Sequence, residues 1–293
     1  MIRKLKMYVK LLAQLLIATA LLTSPVAAVD TAARAAFVLD HTTGTILFSK
    51  NANEPLQLGS MSKIMTLYMA FEALQDGRLS LNRKLPVSQH AVNYGGSTMF
   101  LNTSDRVRVS DLIRGIIVLS ANDASAVIAE ALSLDGTERG FANQMNRRAK
   151  ELGMNNSHFS NSNGWPTKSH VMSIRDLAFL ADRLIQEFPE LYIMFAEKNF
   201  LFDGRVPINS VNSNPLLFLG IDADGLKSGY TKKAGYGIIG SAKRGGRRII
   251  VALSGLESPR QRAMESDLLF KWAFSISAES CELDTTVCTP KEL

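Results

Sequence analysis

The stretch at residues 58–74 constrains the fold of this chain most strongly. Gly59 and Ser60 mark a helix start, and the residues that follow are helix formers with few charges. A helix that is apolar on nearly every side is normally buried in a protein core. The sequence therefore predicts that the remaining segments pack around this helix.

Two polar side chains stand at the start of this apolar helix. Ser60 and Lys63 are three positions apart, so they lie on one helix face. A desolvated lysine near the positive end of the helix dipole should have a lowered pKa. As a neutral amine, Lys63 could take the proton of Ser60 and make it a nucleophile. Alternatively, Ser60 only caps the helix and Lys63 is a surface lysine of the first turn.

Residues 1–28 have the pattern of a secretory signal peptide. A basic region precedes an apolar run at residues 11–22, and small residues at 26–28 suit a signal peptidase. A retained N-terminal anchor is the alternative. The sequence thus predicts export to the periplasm or the exterior of the cell envelope.

The net charge of +6 comes largely from this leader. Its basic residues are Arg3, Lys4, Lys6 and Lys10, and it has no acidic residue, so the rest of the chain carries 6 − 4 = +2. Nucleic-acid binding is therefore not expected, because the remainder has no basic stripe.

Cysteine and histidine usage predicts neither a metal site nor a cofactor. The four histidines, His41, His90, His158 and His170, lack metal-ligand spacing, and each is expected to be a surface or capping residue. Cys281 and Cys288 are either a disulfide or two free thiols.

The predicted elements form an α+β domain (class α/β) over residues 29–275, followed by a polar tail at 276–293. Strands are expected at 35–40, 45–49, 226–231, 236–243 and 247–253, with short ones around 84–87 and 106–109 and a short hairpin at 198–206. Helices are expected at 112–119, 123–134, 137–152, 177–187 and 265–274. The prediction is one antiparallel sheet of about five strands, with helices on both faces and a helical insertion.

Three short motifs follow one another along the chain. They are Ser60-x-x-Lys63 at the start of a buried helix, Ser120-Ala-Asn122 at a helix break, and Lys227-Ser228-Gly229 on a strand. Each is weak alone, and their order and structural context give them weight.

The second motif suits proton transfer. Ser120, at a break between helices, could relay a proton to a leaving amine. Asn122 could donate a hydrogen bond to a substrate amide and hold Lys63 in place.

The third motif suits recognition of an anionic peptide end. Lys227 would supply a cation and Ser228 a hydroxyl for a substrate carboxylate, and Gly229 would leave room for the substrate against the strand. The backbone N–H groups of Ser60 and Tyr230 could form an oxyanion hole. Lys227 as an exposed strand lysine is the alternative.

Taken together, these motifs resemble those of the serine-type D-alanyl-D-alanine carboxypeptidases, the low-molecular-mass penicillin-binding proteins with a β-lactamase/transpeptidase-like fold. Residues 63–68, 161–164 with His170, and 224–231 extend the resemblance, which covers roughly residues 35–275. The resemblance implies removal of the terminal D-alanine from peptidoglycan stem peptides through an acyl-enzyme on Ser60, and β-lactam binding there.

Several features depart from that family. Ser228 replaces the usual threonine and Ala121 the commoner glycine. The β-rich C-terminal domain of many relatives is not expected. Their amphipathic membrane anchor is not expected either, because the tail of this chain is acidic and suits an anionic bilayer poorly. Peripheral membrane contact stays open. A peptidoglycan endopeptidase, a β-lactamase and a non-catalytic wall-binding protein are alternative functions.

Overall fold

The computed structural model describes residues 29–203, 205, 210–276 and 289–290. The predicted signal peptide and both cysteines lie outside these residues.

Within the described residues, a six-stranded antiparallel sheet forms the centre of the molecule, with strand order β5-β6-β7-β1-β2-β8. Its strands are β1 (Ala35–Asp40), β2 (Thr45–Lys50), β5 (Ala223–Thr231), β6 (Gly235–Arg244), β7 (Arg247–Leu256) and the two-residue β8 (Thr289–Pro290). A separate small ladder pairs β3 (Lys84–Pro86) with β4 (Arg106–Arg108). The predicted sheet of the N-terminal hairpin and three C-terminal strands is confirmed.

The helices fall mainly between β2 and β5. They are α1 (Lys63–Gln75), α2 (Gln89–Val92), α3 (Val109–Arg114), α4 (Asn122–Leu132), α5 (Glu138–Glu151), α6 (Ile174–Glu187), α7 (Pro189–Tyr192) and, after the last long strand, α8 (Pro259–Ser275). Thr137 and Ser173 cap α5 and α6 through their side-chain oxygens, as small hydroxyl residues commonly do.

Two apolar layers cover the two faces of the sheet. Alternate residues of a strand point to opposite faces: Phe37 and Leu39 join the core around α1, whereas Ala36 and Val38 join the core beneath α8. The first core is the larger and includes α1 and most of the helical insertion. The prediction of helices on both faces is confirmed.

Helix α1 runs through the larger core. From Lys63 to Phe71 every residue is buried, which confirms the prediction from its sequence. A 3-10 turn, Gly59–Ser62, precedes it. The polar residues at this end of the helix therefore sit at the edge of a dry interior.

Several predicted boundaries were wrong. Helix α3 begins at Val109, three residues before the predicted start at 112, and the preceding Arg108 makes no side-chain cap. Helix α8 begins at Pro259, six residues before the predicted start, because Ser258 accepts a hydrogen bond from the Gln261 N–H.

Two further expectations need correction. His170 is buried and not a surface residue, because its ring packs edge-on against Phe159. The hairpin predicted at 198–206 extends outside the described residues, and within them Asn199 pairs with Val211.

Candidate active site

Ser60 and Lys63 meet at the start of α1. Lys63 Nζ lies 3.0 Å from Ser60 Oγ. Ser60 belongs to the 3-10 turn, where side chains three positions apart nearly eclipse each other. The turn therefore brings the two side chains together more closely than an α-helical start would.

The Lys63 side chain is fully buried, and two further oxygens surround its nitrogen. Nζ donates to Asn122 Oδ1 at 2.7 Å and to the backbone carbonyl of Asn163 at 2.6 Å. A neutral amine has two N–H donors and one lone pair. These two acceptors satisfy both donors, which leaves the lone pair for the Ser60 hydroxyl.

Burial favours this neutral form of Lys63. Burial first, and then the positive charge of Lys227, hold the pKa of Lys63 well below its ordinary value. Asp123 and Glu138 oppose the shift through their negative charges. The amine adjacent to the serine is therefore more readily available as a neutral proton acceptor than an exposed lysine would be.

Ser120 and Asn122 join two helices at an irregular break. A π-helical turn, Gly115–Leu119, ends at Ser120, which is buried and left-handed at φ 61°. Such strained residues and π-turns are frequent at functional sites. The amide of Asn122 is oriented at both ends, because Nδ2 donates to the Gly95 carbonyl at 2.8 Å while Oδ1 accepts from Lys63.

Strand β5 lies directly against the turn that carries Ser60. A Cβ added to Gly229 would overlap the carbonyl oxygen of Leu58, and one added to Gly59 would lie 2.9 Å from the carbonyl oxygen of Tyr230. Only glycine allows the two backbones to approach so closely. Lys227 shares the strand face of Gly229 by the two-residue alternation.

Lys227 is a buried cation without a hydrogen-bond partner among the described residues. Burial first, and then the charge of Arg262, lower the pKa of Lys227 to about 7. Arg262, on α8, is also largely buried, and its Nε has no partner among these residues. Sequence analysis missed Arg262, which lies in the part of α8 that was not predicted as helix.

Ser228 and Tyr230 are placed differently from Lys227. Ser228 Oγ donates to the carbonyl of Ser213 at 3.0 Å, on the loop before β5. Tyr230 is half-exposed and stacks at a tilt on Tyr236, with ring centroids 4.4 Å apart. The Ser228 hydroxyl is thus engaged with the protein rather than unpaired.

The loop at residues 161–165 completes the surroundings of Lys63. Asn161 Oδ1 accepts from the backbone N–H groups of Gly164 and Trp165 at 2.8 and 3.1 Å, which holds the loop in shape. His170 lies nearby, and burial and then the charge of Lys63 lower its pKa to about 4. Sequence reasoning assigned no role to this loop, because the functional atom is a backbone carbonyl, that of Asn163.

Comparison with known proteins identifies the family of this chain. The family model described as D-alanyl-D-alanine carboxypeptidase, Peptidase S11, matches residues 22–257. D-alanyl-D-alanine carboxypeptidase DacF of Bacillus subtilis is 36% identical over 248 residues, which are 83% of this chain and 62% of DacF. This chain thus spans about three-fifths of that relative.

Solved structures share the fold. Penicillin binding protein 5 from Haemophilus influenzae superposes with a TM-score of 0.80 at 31% identity, covering 87% of this chain and 73% of that one. Penicillin-Binding Protein D2 from Listeria monocytogenes, in its ampicillin-bound form, gives 0.74 at 30% identity, covering 84% and 99%.

Proposed function

This chain belongs to the Peptidase S11 family of D-alanyl-D-alanine carboxypeptidases, and from that premise we propose that it removes the terminal D-alanine from peptidoglycan stem peptides. The observation that carries the proposal is the buried Lys63 amine, 3.0 Å from Ser60 Oγ. In this pair, the Lys63 amine can activate the Ser60 hydroxyl, and neither a histidine nor a metal ion is needed for that step.

Acylation would begin when Ser60 Oγ attacks the carbonyl carbon of the penultimate D-alanine. Lys63 takes the hydroxyl proton, and the backbone N–H groups of Ser60 and Tyr230 bind the oxyanion. Ser120 passes its proton to the nitrogen of the leaving D-alanine as the peptide bond breaks, and it takes up the proton held by Lys63, so both side chains regain their starting forms. Water then hydrolyses the ester on Ser60, releasing the shortened peptide and restoring the serine.

Lys227 and Arg262 would bind the terminal carboxylate of the substrate. Lys227 is buried and Arg262 partly buried, and Lys227 Nζ and Arg262 Nε have no hydrogen-bond partner among the residues that the structure describes. A bound carboxylate would supply the missing acceptor and restore the positive charge of Lys227, which burial disfavours in the free protein. The Gly95 carbonyl takes one N–H of Asn122 Nδ2, so Asn122 would donate the second N–H to the substrate amide.

β-Lactams would acylate the same serine. A β-lactam also has a reactive carbonyl carbon and a carboxylate, so it can react with Ser60 while its carboxylate binds Lys227 and Arg262. The Listeria relative was solved in ampicillin-bound and cefotaxime-bound forms, which supports the proposal for this chain by similarity.

The proposed location is outside the cytoplasmic membrane, in the periplasm or on the cell-envelope exterior. The leader pattern at residues 1–28 and the chemistry of a wall substrate support it. Among the described residues, no helix combines the length and apolar character that a bilayer crossing needs.

The test combines product release with labelling. Purified protein is incubated with a stem pentapeptide and assayed for free D-alanine, and its intact mass is measured after exposure to penicillin. We expect D-alanine release and one covalent adduct, located by peptide mapping to Ser60. Ser60→Ala should lose both, and absence of both from the wild-type protein would contradict the proposal.

The β-lactamase alternative requires a further carboxylate that activates the deacylating water. Glu187 does not suit this role, because its Oε2 accepts from the Tyr68 hydroxyl at 2.6 Å and its Oε1 pairs with Arg183 at 2.7 Å. Rapid turnover of nitrocefin would favour that alternative, whereas cleavage of cross-linked dimeric muropeptides would indicate an endopeptidase.

A further inference from the structure

A buried carboxylate lies behind the proposed site. Glu138 is the first residue of α5 and is 6% exposed. Its Oε1 accepts from the backbone N–H of Ser162 at 2.9 Å and from Ser162 Oγ at 2.5 Å. Its Oε2 accepts from the Tyr94 hydroxyl and from His90 Nε2, each at 2.6 Å. Four donors thus converge on one side chain.

Ser162 connects this carboxylate to helix α1. The Ser162 carbonyl accepts from Thr66 Oγ1 at 2.5 Å, and the carbonyl of the next residue, Asn163, accepts from Lys63 Nζ. Glu138 therefore holds, from behind, the two backbone carbonyls that contact α1. The path from Glu138 to the Lys63 amine runs through the Ser162 N–H, the backbone of Ser162 and Asn163, and the Asn163 carbonyl.

Glu138 also places a negative charge near Lys63. Burial acts to raise the pKa of Glu138, but hydrogen bonds from Ser162, Tyr94 and His90 outweigh it and lower the pKa, so the group is ionised at neutral pH. This charge acts to raise the pKa of Lys63.

Other charged groups also face these two residues. Around Lys63 they are Lys227 on β5, Asp123 on α4 and His170 after the loop, and around Glu138 they are His90, Tyr94 and Glu130. None of the four donors to Glu138 is one of the residues proposed to contact substrate.

We propose that Glu138 is a positioning residue for proton transfer. It holds the backbone segment Ser162–Asn163 in place, so that the Asn163 carbonyl fixes the Lys63 amine with its lone pair directed at Ser60. This inference rests on the proposed function. It assigns a mechanistic purpose to a carboxylate that touches neither substrate nor nucleophile.

The test is the pH dependence of acylation in Glu138→Gln. Glutamine keeps the size but removes the charge, and its NH₂ group cannot accept, so the hydrogen bonds that the carboxylate accepts on one side are lost or must reverse direction. The measured quantity is the second-order rate constant for labelling by a fluorescent penicillin between pH 5 and 10.

Two changes are expected together in Glu138→Gln. The rate on the alkaline plateau should fall by about tenfold or more, since a misplaced base loses part of its catalytic effect. The midpoint of the acid limb should move to lower pH, because removal of a negative charge lowers the pKa of Lys63 further. If Glu138 contributed only to folding, Glu138→Gln would contain a smaller fraction of active protein, and the midpoint of its acid limb would equal that of the wild type.

Glu130→Gln is the matched control. Glu130 lies near the same cluster, but its carboxylate accepts from Ser88 Oγ and makes no contact with Ser162. Its rate and its pH midpoint should stay close to those of the wild type, within about twofold in rate.

Ser162→Ala is the second variant, in case Glu138→Gln does not fold. It removes one donor to Glu138 and leaves the backbone N–H, so a smaller, several-fold fall in rate is expected. The inference is overturned if folded Glu138→Gln keeps the wild-type rate or the wild-type midpoint, or, where that variant is unfolded, if Ser162→Ala labels like the wild type. Failure of the proposed function would differ, because the wild type itself would then not be labelled.

Discussion

Gly164 lies with its Cα against the carbonyl of Gly59, so that a Cβ on Gly164 would overlap that oxygen. The loop that holds Lys63 from one side and the turn that carries Ser60 are therefore in direct backbone contact. Gly164 also has a φ of +82°, a conformation that favours glycine. This contact therefore fixes how closely the loop approaches the turn that carries Ser60.

Gly164→Ala should destabilise the protein and slow acylation. The added Cβ must push the loop from the turn, in addition to the strain of a left-handed alanine, so we expect a loss of about 3 kcal/mol or more in unfolding free energy. Chemical denaturation and penicillin labelling measure the two effects. Gly153→Ala is the control: its φ is +74°, but its Cβ would meet nothing within 4 Å. It should lose only about 1 kcal/mol and label normally, and equal losses in both variants would contradict the contact argument.

Lys63→Met should abolish rapid acylation while preserving the fold. Methionine fills the buried space of the lysine stem but offers no proton acceptor, so the acylation rate should fall by about 10²- to 10⁴-fold. Stopped-flow labelling gives the rate, and thermal unfolding confirms that the variant is folded. Acylation of Lys63→Met at the wild-type rate would exclude Lys63 as the base.

Asn122→Asp should move the acid limb of the acylation profile to higher pH. In the wild type, Lys63 Nζ lies 2.7 Å from Asn122 Oδ1, so a carboxylate at position 122 would face the Lys63 amine directly. The new negative charge stabilises the ammonium and raises the pKa of Lys63, so the neutral base appears only at higher pH. Asn122→Ala removes the amide without adding charge and should show no upward shift. An unchanged midpoint in Asn122→Asp would contradict the assignment of the limb to Lys63.

Lys227→Met should stabilise the protein and weaken substrate binding. The buried ammonium has no hydrogen-bond partner within the described part of the chain, and its replacement by an apolar side chain removes the desolvation penalty. With a folded-state pKa of about 7 and an unfolded pKa of ~10.4, the unfolded chain binds more protons between these values. The penalty is therefore complete below pH 7 and decreases as pH rises toward 10.

Thermal unfolding at two pH values tests this argument. The melting temperature of Lys227→Met should exceed that of the wild type more at pH 6 than at pH 9.5, while the KM for a peptide with a free terminal carboxylate rises. Lys243→Met is the control, because Lys243 is an exposed lysine on the neighbouring strand β6. If Lys227→Met gains nothing at pH 6, its ammonium is not an unpaired buried charge.

Local pattern was enough to predict much of the architecture. The short apolar run of β1, the strand-like residues of β2 and the longer apolar run of α1 are local patterns, so these strands and the burial of α1 could be predicted directly. The Ser60–Lys63 pair also lies within one turn, which is why its geometry followed from spacing alone. The ends of helices and strands were less predictable. Helix α8, for example, begins earlier than expected because Ser258 caps it.

The sequence by itself determined which residue types stand on each element, because helix and strand periods are local properties of the chain. Only the tertiary structure decided what surrounds them: the Asn163 carbonyl at Lys63, the Glu138 carboxylate behind Ser162, and Arg262 near Lys227. Lys63 and Asn163 are 100 positions apart, and their contact involves a backbone atom that every residue type possesses. Such contacts arise from how the layers pack, and no one-dimensional pattern encodes them.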